Sequence, residues 1–163
     1  MNAILRPTAP FMLSHPAHFI ALGFGTGLSP FAPGTVGTAL GFPLYWVLDP
    51  WLSSLQMLAV IAALFLVGTW AAGRTGRALG IQDHTSMNID EIVAIMLVLW
   101  FTPSGWTWQA LAFFAFRFFD VVKPPPIRYF DRTVKGGFGV MFDDLLAAFY
   151  TLVVIAVAVR GLD

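Results

Sequence analysis

Five apolar runs punctuate the chain, at Val36–Leu48, Leu55–Trp70, Ile92–Phe101, Trp106–Phe116 and Leu145–Val159. No alternation of period two runs through them, which argues for helices over half-buried strands. Unpaired strands in an apolar surround would also leave backbone N–H and C=O groups without partners. Several runs fall short of the roughly 20 residues that a full membrane crossing wants. The pattern therefore predicts an all-α bundle of short helices that extend into their polar flanks or reach only part-way. Asp49-Pro50 and Pro103-Ser104-Gly105 read as tight turns, so the runs flanking them form hairpins. Arg74–Asn88 and Val121–Asp143 read as longer polar connections. Gly23–Gly37, rich in glycine, proline, serine and threonine, reads as a loop or re-entrant segment. Residues 1–18 hold three prolines and no continuous apolar stretch. They read as a poorly defined N-terminal segment, not a cleaved signal peptide, and residues 19–163 as one membrane-embedded domain.

If each apolar run crosses, the chain alternates sides. Gly23–Gly37, Arg74–Asn88 and Val121–Asp143 then share one side, and the two tight turns lie on the other. The first side carries Arg74, Arg77, Lys123, Arg128, Arg132 and Lys135, with Arg117 close by; the second carries Arg160 alone. The excess of basic residues marks the first side as cytoplasmic. Asp83, Asp90, Glu91, Asp120, Asp131, Asp143 and Asp144 follow the same geography, and only Asp49 and Asp163 lie elsewhere.

Composition agrees with a bilayer as solvent. Hydrophobic residues make up 58% of the 163 and charged residues 11%, against roughly 25% charged in a soluble domain. With 9 basic and 9 acidic residues the formal net charge is zero, which leaves no basic excess for a nucleic-acid partner. Cysteine is absent, so disulfides, thiolate nucleophiles and Cys-ligated metals are excluded.

The polar constellations carry the candidate chemistry. Asp90-Glu91 leads directly into an apolar helix. One acid there would complement the helix dipole; two adjacent acids at a membrane boundary cost desolvation and repulsion unless a cation joins them. Arg117, Asp120 and Lys123 are spaced by three and share a helix face. They read as a salt-bridge ladder or as part of a site, because the turn at Pro103–Gly105 brings Asp120 level with Asp90-Glu91. Lys123-Pro124-Pro125-Pro126-Ile127-Arg128 reads as a stiff strut with a cation at each end, suited to phosphate. Lys135–Asp144 reads as a glycine-rich loop feeding a helix, with Asp143 as N-cap and Asp144 as a surplus acid that again suggests a cation. In Gly23–Gly37, Thr26, Ser29 and Thr35 among small residues read either as an anion cradle or as a close-packing stripe. His84 reads as structural before catalytic.

Clustered carboxylates prefer hard cations such as Mg²⁺, and Mg²⁺ held this way commonly engages a substrate phosphate. Arg and Lys would hold the remaining phosphate charge. A phosphorylated lipid, reachable from the bilayer edge, fits all these conditions. A small transporter or ion pathway is the competing class. It would place acids mid-membrane on several helices, whereas here they lie at helix ends. A non-catalytic membrane partner would leave the repeated acid pairs without a reason.

Four motifs, Gly23–Thr38 (GFGTGLSPFAPGTVGT), Asp83–Glu91 (DHTSMNIDE), Phe116–Asp131 (FRFFDVVKPPPIRYFD) and Gly136–Asp144 (GGFGVMFDD), occur in an order that resembles the phosphatidylglycerophosphatase A family. The resemblance runs from about Phe19 to Ala148. It implies a Mg²⁺-dependent enzyme of the bacterial inner membrane that removes the terminal phosphate of phosphatidylglycerophosphate in phospholipid synthesis. It points to Asp90, Glu91, Asp120, Asp143 and Asp144 as catalytic and metal-binding, and to Lys123 and Arg128 for phosphate, with Arg117 beside them. Ala94 and Ala148 stand where glycine is expected in many relatives. With no cysteine and only His84 near the acids, the nucleophile is a metal-activated water or an aspartate.

Overall fold

A computed structural model describes residues 6–162, and among these every regular element is helical. Two short helices, α1 (Ala9–Leu13) and α2 (Pro16–Ala21), come first. A 3-10 turn, Gly23–Leu28, follows. Then come α3 (Pro33–Leu48), α4 (Ser54–Leu79), α5 (Ile89–Phe101), α6 (Trp106–Val122), α7 (Ile127–Thr133) and α8 (Gly136–Leu162). Asp163 and residues 1–5 of the N-terminal segment lie outside the described residues. The remainder of that segment is built into the fold. His18 is buried and its Nδ1 lies 2.9 Å from the Thr75 hydroxyl, which fastens α2 to α4.

The expectation of short helices fails for α4 and α8, which run 26 and 27 residues. In α4 the polar tail Arg74–Leu79 continues the helix instead of opening a connection. Its ends explain the span. Ser53 and Gln56 form a reciprocal capping box, and Gly80 stops the helix in the left-handed conformation (φ +70°) that glycine adopts without steric cost. In α8 the glycine-rich stretch is itself helical, so Asp143 and Asp144 sit two turns inside the helix and Asp143 is not a cap. Gly137 lies where α8 crosses α4, with the Thr69 carbonyl and the Gly73 amide closing over the place a Cβ would occupy. Glycine is unfavourable in a helix, and the close crossing is what requires it. Gly137→Ala is accordingly expected to destabilise the fold by about 1–3 kcal/mol, read as a lower unfolding temperature in detergent. An unchanged melting curve would remove the close crossing from the account.

α5 is the hub. Ile92, Ile95, Met96 and Val98 are fully buried, and α3, α4, α6 and α8 pack around it. The α3–α5 contact uses small residues: Gly37 faces Asn88 and Gly41 faces Ile95 too closely for any side chain. Ala94 and Ala148 both lie in the apolar cluster shared by α5, α6 and α8. α3, α5 and α8 begin, and α4 and α6 end, at one end of the bundle, and this end carries the acids. At the other end Trp46 and Trp106 meet edge to face, and Trp51 and Phe101 are exposed.

α4 and α8 are each long and apolar enough to cross a membrane. Only 28% and 44% of their most apolar 18-residue stretches are buried inside the protein. Leu55, Leu66 and Trp70 of α4 and Phe149, Val153 and Val157 of α8 project outward. Faces this apolar need a hydrocarbon surround, and the chain is membrane-associated.

Candidate active site

Three helix ends deliver the acids to one place. Asp90 and Glu91 occupy the first turn of α5, Asp143 and Asp144 lie two turns into α8, and Asp120 is in the last turn of α6. They line a cavity of about 270 Å³ together with Asp83, Arg117 and Lys123, and the backbone of Ala32–Gly34 at the start of α3 forms one wall. A Cβ at Gly34 would meet the Glu91 carboxylate, so a larger residue there would displace that side chain.

Two kinds of acid share the cavity. Asp90, Glu91 and Asp144 offer one oxygen each within 4.8 Å of one another. Asp90 Oδ1, Glu91 Oε2 and Asp144 Oδ2 are buried and accept no hydrogen bond. Three buried carboxylates with free lone pairs repel one another and lack solvation, and an all-oxygen donor set of this size suits a small hard divalent cation. Asp120 and Asp143 are instead paired with cations. Arg117 Nη1 donates to Asp120 Oδ2 and lies 3.7 Å from Glu91 Oε1. Lys123 Nζ donates to Asp143 Oδ2 and, at 2.8 Å, to Asp131 Oδ1. The five predicted acids are thus brought together, but they divide into a set of three that could hold a metal and two held by cations.

The three-spaced ladder Arg117–Asp120–Lys123 is broken at its last rung. Pro124 disfavours helical backbone at the residue before it. Lys123 leaves α6 in a left-handed conformation (φ +45°), and its side chain turns toward α7 and α8. Burial alone would lower the Lys123 pKa, yet Asp143 and Asp131 outweigh it and raise the ammonium above its ordinary value. Asp131 is correspondingly held below the usual carboxylate range: burial opposes this, but the Lys123 hydrogen bond prevails. Burial pushes Asp83 up, with Lys123 resisting.

The remaining predicted phosphate ligands fall outside the cavity. Pro124–Pro126 form a turn, not an extended strut. Arg128 is exposed, and its Nη2 donates to the Val122 carbonyl at 3.1 Å, tying α7 back onto α6. Arg128→Ala is therefore expected to change phosphate turnover by less than about threefold, since a solvated cation away from the reacting group contributes little; a hundredfold loss in a kinetic assay would restore it to the site. Thr26 bonds to the Gly23 carbonyl and to Asn88. Ser29 donates to the Phe31 carbonyl within its own loop. Thr35 lies in the first turn of α3 and does not line the cavity. The hydroxyls of Thr26, Ser29 and Thr35 thus lie away from the cavity, and the part of the glycine- and threonine-rich segment that borders it is Ala32–Gly34. His84 also stays outside: it is buried, its Nδ1 accepts the Ser86 amide, and burial lowers its pKa against the pull of Asp83.

Two organising residues escape sequence reading. Asn88 is fully buried, and its Nδ2 donates to Thr26 Oγ1 (2.9 Å) and the Pro33 carbonyl (2.8 Å), locking the start of α3 to the start of α5. Thr38, also buried, lies 3.4 Å from Arg117 Nη1. An Asn ahead of an acid pair looks like a helix cap, yet it makes no capping bond.

Comparison with known proteins adds to this geometry. The sequence profile described as Phosphatidylglycerophosphatase A matches residues 19–159. A Haemophilus influenzae phosphatidylglycerophosphatase A is 43% identical over 151 residues, covering 92% of this chain and 93% of that protein. The Escherichia coli phosphatidylglycerophosphatase A is 38% identical over 139 residues, covering 83% and 78%. A Bacteroides thetaiotaomicron protein provisionally named a phosphatidylinositol-3-phosphatase is 42% identical over 147 residues, covering 85% and 91%. No solved structure matches the chain.

Proposed function

The chain belongs to the phosphatidylglycerophosphatase A family, and from that premise we propose that it hydrolyses the terminal phosphate of phosphatidylglycerophosphate, giving phosphatidylglycerol and phosphate. One observation carries the chemical reading: Asp90, Glu91 and Asp144, from two helices distant in sequence, converge with buried, unpartnered oxygens beside two fixed cations.

In this reading Asp90, Glu91 and Asp144 hold Mg²⁺. Bound there, the ion would neutralise phosphate charge and lower the pKa of a water for attack. Arg117 and Lys123, the two cations lining the cavity, bind the phosphate oxygens. Asp120 and Asp143 keep both cations in place between turnovers. Asn88 fixes the wall at Pro33–Gly34 that confines the phosphate. We assign the nucleophile to water: Asp120 and Asp143 are ion-paired with Arg117 and Lys123, and Asp90, Glu91 and Asp144 are grouped as the metal set. The aspartyl alternative would require one of them to leave its partners.

We further place the chain as a multi-pass bundle of the bacterial inner membrane, with the acid end toward the cytoplasm. Arg74, Arg77, Arg117, Lys123, Arg128, Arg132 and Lys135 flank that end and Arg160 the other, the bias expected of a cytoplasmic face. Trp46, Trp51 and Trp106 suit the opposite interface. The acids gather at helix ends and, among the described residues, leave no chain of ionisable groups through the bundle's centre, which favours an enzyme over an ion pathway.

The test is phosphate release by detergent-purified protein from phosphatidylglycerophosphate, phosphatidic acid and phosphatidylinositol 3-phosphate, with and without EDTA. The expected result is preference for phosphatidylglycerophosphate and loss of activity in EDTA, restored by Mg²⁺. Preference for the inositol lipid would transfer the reading to that head group, and full activity in EDTA would overturn the metal.

A further inference from the structure

A second cavity, of about 320 Å³, opens between α4, α5 and α8. Leu58, Ile61 and Phe65 of α4, Val93 and Leu97 of α5 and Met141 of α8 form much of its wall. Asp90 is its one charged lining residue, and Asp90 also lines the acid-rich cavity. The two cavities therefore meet at one residue, Asp90. From Asp90 to Leu97 the groove follows α5 for about 10 Å toward the far end of the bundle. Its mouth is bordered by Leu58, Ala62 and Leu66 of α4, all exposed. It lies between the two helices that are long and apolar enough to cross a membrane, so it opens where the surround is hydrocarbon.

We propose that this groove seats one acyl chain of the phospholipid substrate, so that the terminal phosphate of its head group reaches Arg117 and Lys123 on the far side of Asp90. This rests on the lipid-phosphatase reading above. Water is a poor occupant of an apolar groove. An occupant that spans this groove and the adjoining acid-rich cavity would be apolar at one end and anionic at the other. Lipid tails are as apolar as leucine, so moving a chain from bilayer to groove gains little transfer energy. What the groove contributes is position: a chain held along α5 fixes where its head group can sit.

The experiment compares phosphate release from diacyl phosphatidylglycerophosphate in detergent micelles with release from its deacylated head group, glycerophosphoglycerophosphate. Ala62→Trp narrows the mouth of the groove. Ala63→Trp adds the same bulk on the neighbouring exposed position of α4, which does not line the groove. Ala62→Trp is expected to raise KM for the diacyl substrate on the order of tenfold, the cost of a misplaced head group, with a much smaller effect on the deacylated one. Ala63→Trp is expected to behave as wild type on both. Wild-type kinetics of Ala62→Trp on the diacyl substrate, or equal losses on both substrates, would overturn the groove. Wild-type protein that releases phosphate from neither substrate would overturn the phosphatase reading itself, and the occupant with it.

Discussion

Asp144→Asn is expected to lower phosphate release by on the order of 10³-fold, about 4 kcal/mol of transition-state stabilisation, while leaving a protein that folds and, in EDTA, resists heating better than wild type. The two effects come from one cause. Asp144 is 2% exposed, with Oδ2 unpartnered and the acids Asp90 and Glu91 within reach. In the absence of a cation, three buried carboxylates repel one another, and an amide removes one of those charges. With Mg²⁺ present the sign reverses. Wild type gains stability by binding the ion in its folded state, and the variant forfeits that gain along with the activity. Melting curves with EDTA and with Mg²⁺, taken beside the kinetics, separate this from general damage. A variant destabilised equally in both conditions would make Asp144 a structural residue only.

Lys123→Met is expected to cost about 3 kcal/mol of stability, because removing one partner of a buried ion pair leaves the other charge uncompensated, and to reduce kcat/KM by about 10²-fold through loss of a phosphate contact. Lys123 is the cation for both Asp131 and Asp143, and the Asp143 side chain is only 6% exposed. Its position outside regular helix, forced by Pro124, is what lets it reach α8. Adding Asp143→Asn to Lys123→Met removes the stranded charge. The double variant should recover most of the stability and none of the activity. Stability that stays low in the double variant would mean that Lys123 holds the fold by packing its stem, not by charge.

Which end of the bundle carries the acids was legible from the order of apolar runs and turns. The runs Ile92–Phe101 and Trp106–Phe116 sit inside α5 and α6, the turn at Pro103–Gly105 sets Glu91 beside Arg117, and the paired acids of α5 and α8 meet. Helix length was not legible at α4 and α8, because apolar runs mark where a helix meets lipid and not where its backbone stops. The glycines of Gly136–Gly139 suggested a loop on propensity; the close approach of Thr69 and Gly73 to Gly137 and of the Val134 carbonyl to Gly139 accounts for glycine inside a helix at those two positions. Arg128 looked equivalent to Lys123 because a proline run hides its own direction; the chain turns there, and the two cations part. Thr26 and Ser29 looked available to an anion because a sequence does not show that their hydroxyls are already engaged. Asn88 read only as a helix cap, because its true partners Thr26 and Pro33 lie 62 and 55 positions away.

The convergence of α5 and α8 acids on a divalent ion is tested most directly by Mn²⁺, a paramagnetic stand-in for Mg²⁺, titrated into detergent-purified protein and followed by electron paramagnetic resonance. Saturable quenching of the free-ion signal by wild type, weakened at least tenfold in Asp90→Asn, Glu91→Gln and Asp144→Asn alike, is the predicted outcome. Equal Mn²⁺ affinity in wild type and all three variants would contradict it.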